Sequence, residues 1–331
     1  MQDEYESIEK ALGHIPAGTI ALKRHGGADA QSPYFLEQFI SQTEGKGRIE
    51  SFLLFPGIAL SLHQYLGEQV KVHHAAKDYI LEINHCYKGR IGWNMRDGAA
   101  VYLGEGDVCL HSIHSCADSQ MGLPLGYYAG ISLLADLSVL EENCPAVLKE
   151  GGFSSGALYE KFCRGAKPCV LPAGCPLDSI FTPLYALQEQ IRLPYYKLKA
   201  LEVLLYLLQL EPLGLAGEQY GSAQQVEVIK EVRNFLIENL GQRFTIEMLA
   251  RKFLLNTSTL KAAFKAVYGM PIAAYVKEYR MQQAMKLLRQ SHASIASIAQ
   301  QVGYETQGKF TKAFKEKTGL LPTEYRKLYQ K

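Results

Sequence analysis

The chain of 331 residues contains a single tryptophan, and no stretch of it supplies the roughly 18 apolar residues that a membrane-spanning helix needs. The most apolar stretches, Ser51–Leu62 and Leu201–Leu210, fall well short, and the acidic start Met1–Ile8 does not read as a signal peptide. The expected location is therefore the cytoplasm, with no membrane partner. Recognisable catalytic motifs are missing too. No P-loop, nucleophile elbow or dinucleotide fingerprint occurs, so the expectation is a protein that is not an enzyme. The seven cysteines are an odd number spread from Cys86 to Cys175 in a long chain without an export signal, which argues for free thiols rather than a disulfide framework.

With 47% hydrophobic and 21% charged residues the chain can bury ordinary cores, and its length predicts two domains. The formal net charge of +2 hides an asymmetry. Residues 1–225 carry 17 Lys+Arg against 25 Asp+Glu, whereas residues 226–331 carry 18 against 8, a net of +10. A basic segment of that size suits a polyanion such as double-stranded DNA, although charge alone leaves open a merely soluble basic domain.

Asp3–Leu12 has a helical pattern, after which short apolar runs broken by glycine make Thr19–Leu134 mostly β. Tyr79, Leu81 and Ile83 alternate with polar neighbours, and Lys88-Gly89-Arg90 reads as a turn before Ile91-Gly92-Trp93. Val101-Tyr102-Leu103, the turn Gly104-Glu105-Gly106-Asp107 and Val108-Cys109-Leu110 read as a second hairpin, of the type that builds small β-barrels and sandwiches. Gly151–Cys175 is loop-like, with room for one short helix. Leu177–Arg192 and Tyr195–Leu210 read as an antiparallel helical pair separated by Pro194. The second of them is apolar over more than one face, which suits packing on a copy of itself in a homodimer. The expected division is residues 1–174, a helical dimerisation segment 175–216, a linker 217–225 and an all-α domain 226–331.

Within that last domain a pattern of short helix, tight connection and longer basic helix occurs twice. In the second copy Ile295, Ile298 and Ala299 face a core, Gly303 supplies the left-handed turn residue, and Phe310 and Phe314 anchor the next helix. Gln307, Lys309, Lys312 and Lys315 lie off that apolar face and are left to meet phosphates or base edges. In the first copy Leu249, Ala250, Leu260 and Phe264 face inward, and Thr257, Ser258, Thr259, Lys261 and Lys265 form the outward set. The duplication reads as a tandem helix-turn-helix.

The last 106 residues resemble the DNA-binding domain of the AraC/XylS family of transcriptional regulators. Ile298-Ala299-Gln300-Gln301-Val302-Gly303-Tyr304, Phe310, Phe314-Lys315, Thr318-Gly319, Pro322 and Tyr325-Arg326 carry the resemblance in the second copy. Phe264-Lys265, Gly269, Pro271, Tyr275, Arg280, Ala284 and Leu287-Leu288 carry it in the first. The resemblance implies two helix-turn-helix units bridged by a long helix, each placing a reading helix in the major groove. It puts base readers on Ser258, Lys261 and Ala262 and on Gln307, Gly308, Lys309 and Lys312, and it implies RNA polymerase as a partner. Ala262 and Gly308 have no side-chain hydrogen bond to give. Leu254 departs from the pattern, which has a small residue or glycine at that turn.

The N-terminal part is similar to the effector domains of the same family, cupin-like β-barrels followed by two helices. Gly104-Glu105-Gly106-Asp107-Val108, Cys86-Tyr87-Lys88-Gly89-Arg90, Gly126–Ser132 and Tyr195–Glu202 resemble the siderophore-responsive, PchR-like branch. The expected fold class is thus α+β, and the implied effector is a ferric siderophore or another small aromatic compound. Trp93, Tyr87, Tyr102 and Phe55 are candidates to line a pocket, His63, His73 and His85 to join it, and Arg24 and Arg90 to pair with an anionic ligand. An alternative is a metal- or haem-sensing regulator, because Cys109, His111, His114 and Cys116 place four candidate ligands within eight residues, although in a spacing that matches no established zinc motif. Cys163, Cys169 and Cys175 are candidates for the same chemistry or for oxidation sensing. A further alternative is a cupin enzyme fused to a DNA-binding domain, but the two-histidine-plus-carboxylate motif of such enzymes is not at its usual spacing.

Overall fold

A computed structural model of the chain describes residues 2–25, 45–71, 79–116, 120–165, 167–211 and 222–330. It divides into two compact units, Met1–Ala223 and Gln224–Lys331. His73 and part of the 217–225 linker lie outside the described residues.

The first unit opens with helix α1 (Gln2–Ala11). Strands β1 (Ile20–His25), β2 (Lys46–Phe55), β3 (Ile58–Leu66), β4 (Gln69–Lys71), β5 (Ile80–Gly89), β6 (Ile91–Asn94), β7 (Ala100–Leu103), β8 (Val108–Ser112), β9 (Gln120–Gly122), β10 (Tyr127–Asp136) and β11 (Cys169–Leu171) follow. They form a seven-stranded sheet in the order β1-β2-β3-β10-β5-β8-β11 and a four-stranded sheet in the order β4-β9-β6-β7. Among the described residues the strands do not close into a barrel. The larger sheet ends at β1 and β11 and the smaller at β4 and β7.

The two expected hairpins are corrected by this topology. β5 and β6 lie in different sheets, and so do β7 and β8. Gly89 (φ +79°) and the Gly104–Asp107 turn carry the chain between layers rather than back along one layer. That turn is closed by Asp107, whose Oδ2 accepts from Gly104 N at 2.7 Å, while Gly106 takes φ +82°. The same alternation flanks a turn in either case; only the partner strands differ.

Alternation along the larger sheet sends two different sets of side chains to its two faces. Leu60, Leu81, Ile83, Leu110, Ile131 and Leu133 meet a helical layer built from α2 (Leu137–Asn143), α3 (Ala146–Glu150), α4 (Ser155–Phe162), α5 (Pro176–Phe181) and α6 (Glu189–Gln209), which contributes Phe162, Phe181, Tyr196, Val203 and Leu207. Each fully buried Leu or Phe there contributes on the order of 1.5–3 kcal/mol. The opposite face meets the smaller sheet, with Ile49, Tyr65, Cys86, Cys109 and Tyr128 packed in one cluster with Val70, Ile91, Trp93, Val101 and Leu103.

The helical pair is also corrected. Residues 177–192 hold only α5 and a 3-10 turn, Thr182–Ala186, before α6 begins, and α6 runs through Pro194 without a break. Pro194 stands in the second turn, where it forfeits one backbone bond near the helix start, and the buried stripe Tyr196, Ala200, Val203, Leu204 and Leu207 holds the helix together.

The second unit holds helices α7 (Ala223–Glu238), α8 (Ile246–Lys252), α9 (Thr257–Tyr268), α10 (Ile272–Gln290), α11 (Ile295–Gln301), α12 (Gln307–Thr318) and α13 (Pro322–Tyr329). The long α10 is shared by both halves. Its Tyr275 packs at 5.5 Å and 4.8 Å from the rings of Phe264 and Tyr268. Its Met281, Ala284, Met285 and Leu288 pack on Ile298, Ala299, Val302, Phe310 and Phe314.

Candidate nucleic-acid interface and effector site

Four short polar residues start the four helices of the duplication. Thr245, Asn256, Ser294 and Thr306 each accept a hydrogen bond from the backbone N–H three residues on, those of Met248, Thr259, Ser297 and Lys309. The turns between helices also match. Leu255 N donates to Ala250 O at 2.9 Å, and Tyr304 N donates to Ala299 O at 2.8 Å. The turn residue is Leu254 at φ +54° in the first copy and Gly303 at φ +84° in the second. One residue separates Leu254 from the N-cap Asn256, whereas two separate Gly303 from Thr306.

Inward positions of the two reading helices are closed: Leu260, Phe264, Phe310 and Phe314 have no solvent exposure. Their outward positions carry the charge. Ser258, Lys261 and Lys265 on α9 are exposed, as are Gln307, Lys309, Lys312 and Lys315 on α12, while Thr257 is half-buried. Two of these groups are already engaged. Ser258 Oγ donates to the capping Asn256 Oδ1 at 2.7 Å, which makes Ser258 part of the helix start. Lys309 Nζ reaches Glu305 at 2.7 Å, and Glu305 also pairs with Arg243 at 2.5 Å. The Lys309 bond and the nearby Arg243 hold the Glu305 carboxyl below its ordinary range. Reading a base with Lys309 therefore requires exchange of that partner, whereas Lys312 and Lys315 project from the following turns.

In the first unit, the residues expected to share one pocket are not brought together. Tyr87 faces the helical layer, stacked on Tyr185 at 4.0 Å. His85, on the same face, bonds through Nδ1 to the Tyr185 hydroxyl (2.9 Å) and through Nε2 to Asp178 (3.0 Å), and burial lowers its pKa against the pull of Asp178. Phe55 also packs on the helical side. Tyr102 covers Gly92, where a Cβ would meet its ring at 2.2 Å, and Arg90 is buried beside the Gly104 turn. Among the described candidates only His63 and Trp93 face the opposing sheet, with Arg24 exposed at the edge.

That inter-sheet face is polar in its middle. Arg24 on β1 pairs in register with Ser51, Ser51 with Ser61, Ser61 with Ser132, Ser132 with Asn84, and Asn84 with Cys109. Partnered positions share a face, so six adjacent strands lay one polar row across the sheet. Ser51 and Ser61 share a hydrogen bond of 2.8 Å, and Ser132 Oγ donates to Asn84 Oδ1 at 2.6 Å. His63 stands one step to one side with its Nδ1 bonded to Tyr65 Oη at 2.7 Å, and Glu82 one step to the other. Asn84, Glu82 and His63 keep partial exposure, whereas Cys109, Tyr65 and Tyr128 at the ends are closed.

The sequence reading missed Ser51, Ser61, Ser132, Asn84 and Glu82. A serine inside each of the apolar runs 51–55 and 58–62 was an available signal; Glu82 and Asn84 were indistinguishable from solvent-facing strand positions. Of the expected metal ligands, Cys109, His111 and Cys116 are buried together, and His114 is exposed and apart from them. Cys163 and Cys169 are buried in the helix-facing core, and burial raises both thiols, to about 12 and about 11.

Comparison with known proteins places this geometry. Residues 249–328 match the Helix-turn-helix domain family. A Streptomyces antibioticus protein named as an AraC-like transcription regulator is 30% identical over 190 residues, 54% of this chain and 62% of the relative. The virulence regulon transcriptional activator VirF of Yersinia enterocolitica is 31% identical over 97 residues, 29% of this chain and 36% of the relative. Among solved structures, the C-terminal domain of the two-component response regulator yesN from Fusobacterium nucleatum is 30% identical, covering 30% of this chain and 98% of that one with a TM-score of 0.29. The chain thus spans less than two thirds of the length of these curated relatives. Among the described residues no helix is long and apolar enough to cross a membrane.

Proposed function

We propose that this chain, whose second unit is an AraC-type helix-turn-helix domain, is a DNA-binding transcriptional regulator that responds to a small molecule held in its first unit. The observation that carries the DNA reading is the duplication itself: two capped helices, α9 and α12, anchored by buried phenylalanines on one helix α10 and turning lysines outward. Phosphate contacts position such helices and base contacts specify them. Lys261, Gln307 and Lys312 are the base readers in this reading, with Lys309 joining once it leaves Glu305, and Lys265 and Lys315 meet phosphates.

The row from Arg24 to Asn84 is the proposed effector site of a cupin-like sensing unit. Its hydroxyls and amide offer hydrogen-bonding groups in an otherwise apolar interior, and the exposed Arg24 cation at its edge suits the anionic group of an elongated ligand. A ferric siderophore remains one compound class to test there. Effector occupancy is then linked to DNA affinity by a coupling free energy, in either direction. The exposed side of α6, led by Leu198 at 65% exposure beside Leu201 and Leu205, is the proposed dimer face, with RNA polymerase as the downstream partner.

Selection of genomic DNA fragments on the purified full chain, followed by footprinting, tests the central reading. A protected sequence in two successive major-groove segments is expected. A folded chain that retains no fragment at low salt would exclude it. Thermal-shift screening of small carboxylates and siderophores against the parent and Arg24→Ala tests the effector site: a compound that stabilises both equally does not use the row.

A further inference from the structure

Three elements converge on His111. The imidazole projects from β8 toward the smaller sheet, Glu82 lies opposite it on β5 in the register pair Glu82↔His111, and Cys116 closes the 3-10 turn Ile113–Cys116 that follows β8. Glu82 Oε2 approaches His111 Nε2 to 3.2 Å and Cys116 Sγ approaches it to 3.1 Å. The three potential ligand atoms all lie within 4.8 Å of one another. On the other side of the ring Cys109 Sγ stands 3.7 Å from Nδ1. The Trp93 ring is 5.5 Å from the imidazole, and its Nε1 is buried without a hydrogen-bond partner among the described residues.

We propose that Glu82, His111 and Cys116 form a binding site for a borderline-soft divalent cation, zinc foremost, with a fourth position open to water or an exchangeable ligand. The donor set is the first reason. One imidazole nitrogen, one thiolate sulfur and one carboxylate oxygen are the three ligand types of zinc, and sulfur disfavours calcium and magnesium.

Geometry is the second reason. Zinc distances of about 2.0–2.1 Å to nitrogen and oxygen and about 2.3 Å to sulfur separate tetrahedral ligand atoms by roughly 3.3–3.6 Å. The observed 3.1 Å and 3.2 Å contacts open to that range by a few tenths of an ångström.

The ring's orientation is the third. Cys109 at Nδ1 occupies the outer-shell place that fixes the tautomer, with Nδ1–H donating to sulfur and the Nε2 lone pair facing the ion. The Trp93 ring, with its buried Nε1 donor, packs beside the imidazole. Charge closes as well: a dication with one thiolate and one carboxylate is neutral overall, which suits a buried site. The site adjoins the polar row through Cys109 and Glu82 and lies in the first unit, whereas the reading helices belong to the second, so it stands independently of the DNA reading.

The test is a cobalt titration of the full-length protein, reduced and freed of metal with a chelator. One equivalent of Co2+ is expected to bind with a thiolate-to-cobalt charge-transfer band and the visible bands of a tetrahedral ion, and zinc is expected to displace it. Cys116→Ser should abolish the charge-transfer band, and Glu82→Gln, a near-isosteric change of a side chain only 18% exposed, should weaken binding by about a hundredfold with the apo fold intact by circular dichroism. Cys109→Ser should keep the band and weaken binding by about 10- to 100-fold, and His114→Ala should change nothing. A parent chain that takes up no cobalt at micromolar concentration overturns the proposal. So does a band that survives in Cys116→Ser, or one that disappears in Cys109→Ser.

Discussion

Leu254 and Gly303 hold the same place in the two duplicated turns, and the backbone asks the same of both. At φ +54° a leucine sits in the left-handed region, which costs an L-residue roughly 1–2 kcal/mol, and at 92% exposure it regains nothing by burial. Leu254→Gly should therefore stabilise the second unit by about 0.5–1 kcal/mol, after glycine's extra unfolded-state entropy is subtracted, and thermal unfolding would show it. Gly303 has no such latitude. A Cβ there would meet Leu240 O at 2.0 Å, so Gly303→Ala should destabilise the same unit by more than about 2 kcal/mol and lower DNA affinity with it. In the first unit, burial pushes the His63 imidazole down to about 4 against the opposing field of Glu82. The unfolded chain takes up a proton near pH 6.5 and the folded one does so only near 4, so stability should fall as the pH drops through that window, by up to about 3 kcal/mol, and level off below it. His63→Gln should flatten this limb in denaturant titrations at pH 7 and pH 5; an unchanged slope would count against it.

At the scale of elements, α12 separates anchoring from reading. Gln307→Ala should cost about 1–3 kcal/mol on the preferred site and relax base preference there, whereas Lys315→Ala should weaken all sequences alike. Equal losses on specific and random DNA for Gln307→Ala would reassign the reader. Phe314→Ala acts by another route: its ring is fully buried, and truncation should cost about 3–5 kcal/mol of stability. On α6 the most exposed apolar residue is Leu198, with Ile191 and Leu193 also exposed, whereas Leu205 and Leu208 are half-buried in the groove beside Val147 and Gly151. Leu198→Glu should give a monomer, readable by sedimentation, that keeps its circular-dichroism fold while its melting temperature no longer depends on protein concentration, and a parent chain that is already monomeric at micromolar concentration would remove α6 as a dimer face.

The molecule as a whole carries its charge in two opposed blocks, with the net +10 in residues 226–331. Association with duplex DNA should fall steeply with salt, by about 0.9 in logarithmic slope for each phosphate neutralised, and Lys265→Ala or Lys315→Ala should each reduce that slope by about one. Gel-shift titrations across salt concentrations measure it. A slope unchanged in both variants would place the phosphate contacts elsewhere on the second unit.

Much of the second unit was legible in the sequence, because its signals are short-range: apolar positions at three and four spacing, and Gly303 where its turn is left-handed, while Leu254 at the matching turn of the first copy was legible only as a departure from the pattern. Ile298, Phe310 and Phe314 were readable as core and Lys312 as surface without knowing any distant partner. The first unit was legible only as β-rich, with Arg24, His63 and Trp93 named one by one. Alternation along β5 shows that Leu81 and Glu82 face opposite ways, but not which face meets water, nor that Glu82 pairs with His111. Whether the strands around Gly104–Asp107 lie in one sheet or two, and whether Pro194 ends a helix or is carried within one, depended on partners dozens of residues away. Strand pairing and burial are non-local, and only the tertiary fold could place Arg24, three serines and Asn84 in one row, or bring Glu82 and Cys116 to the same imidazole nitrogen.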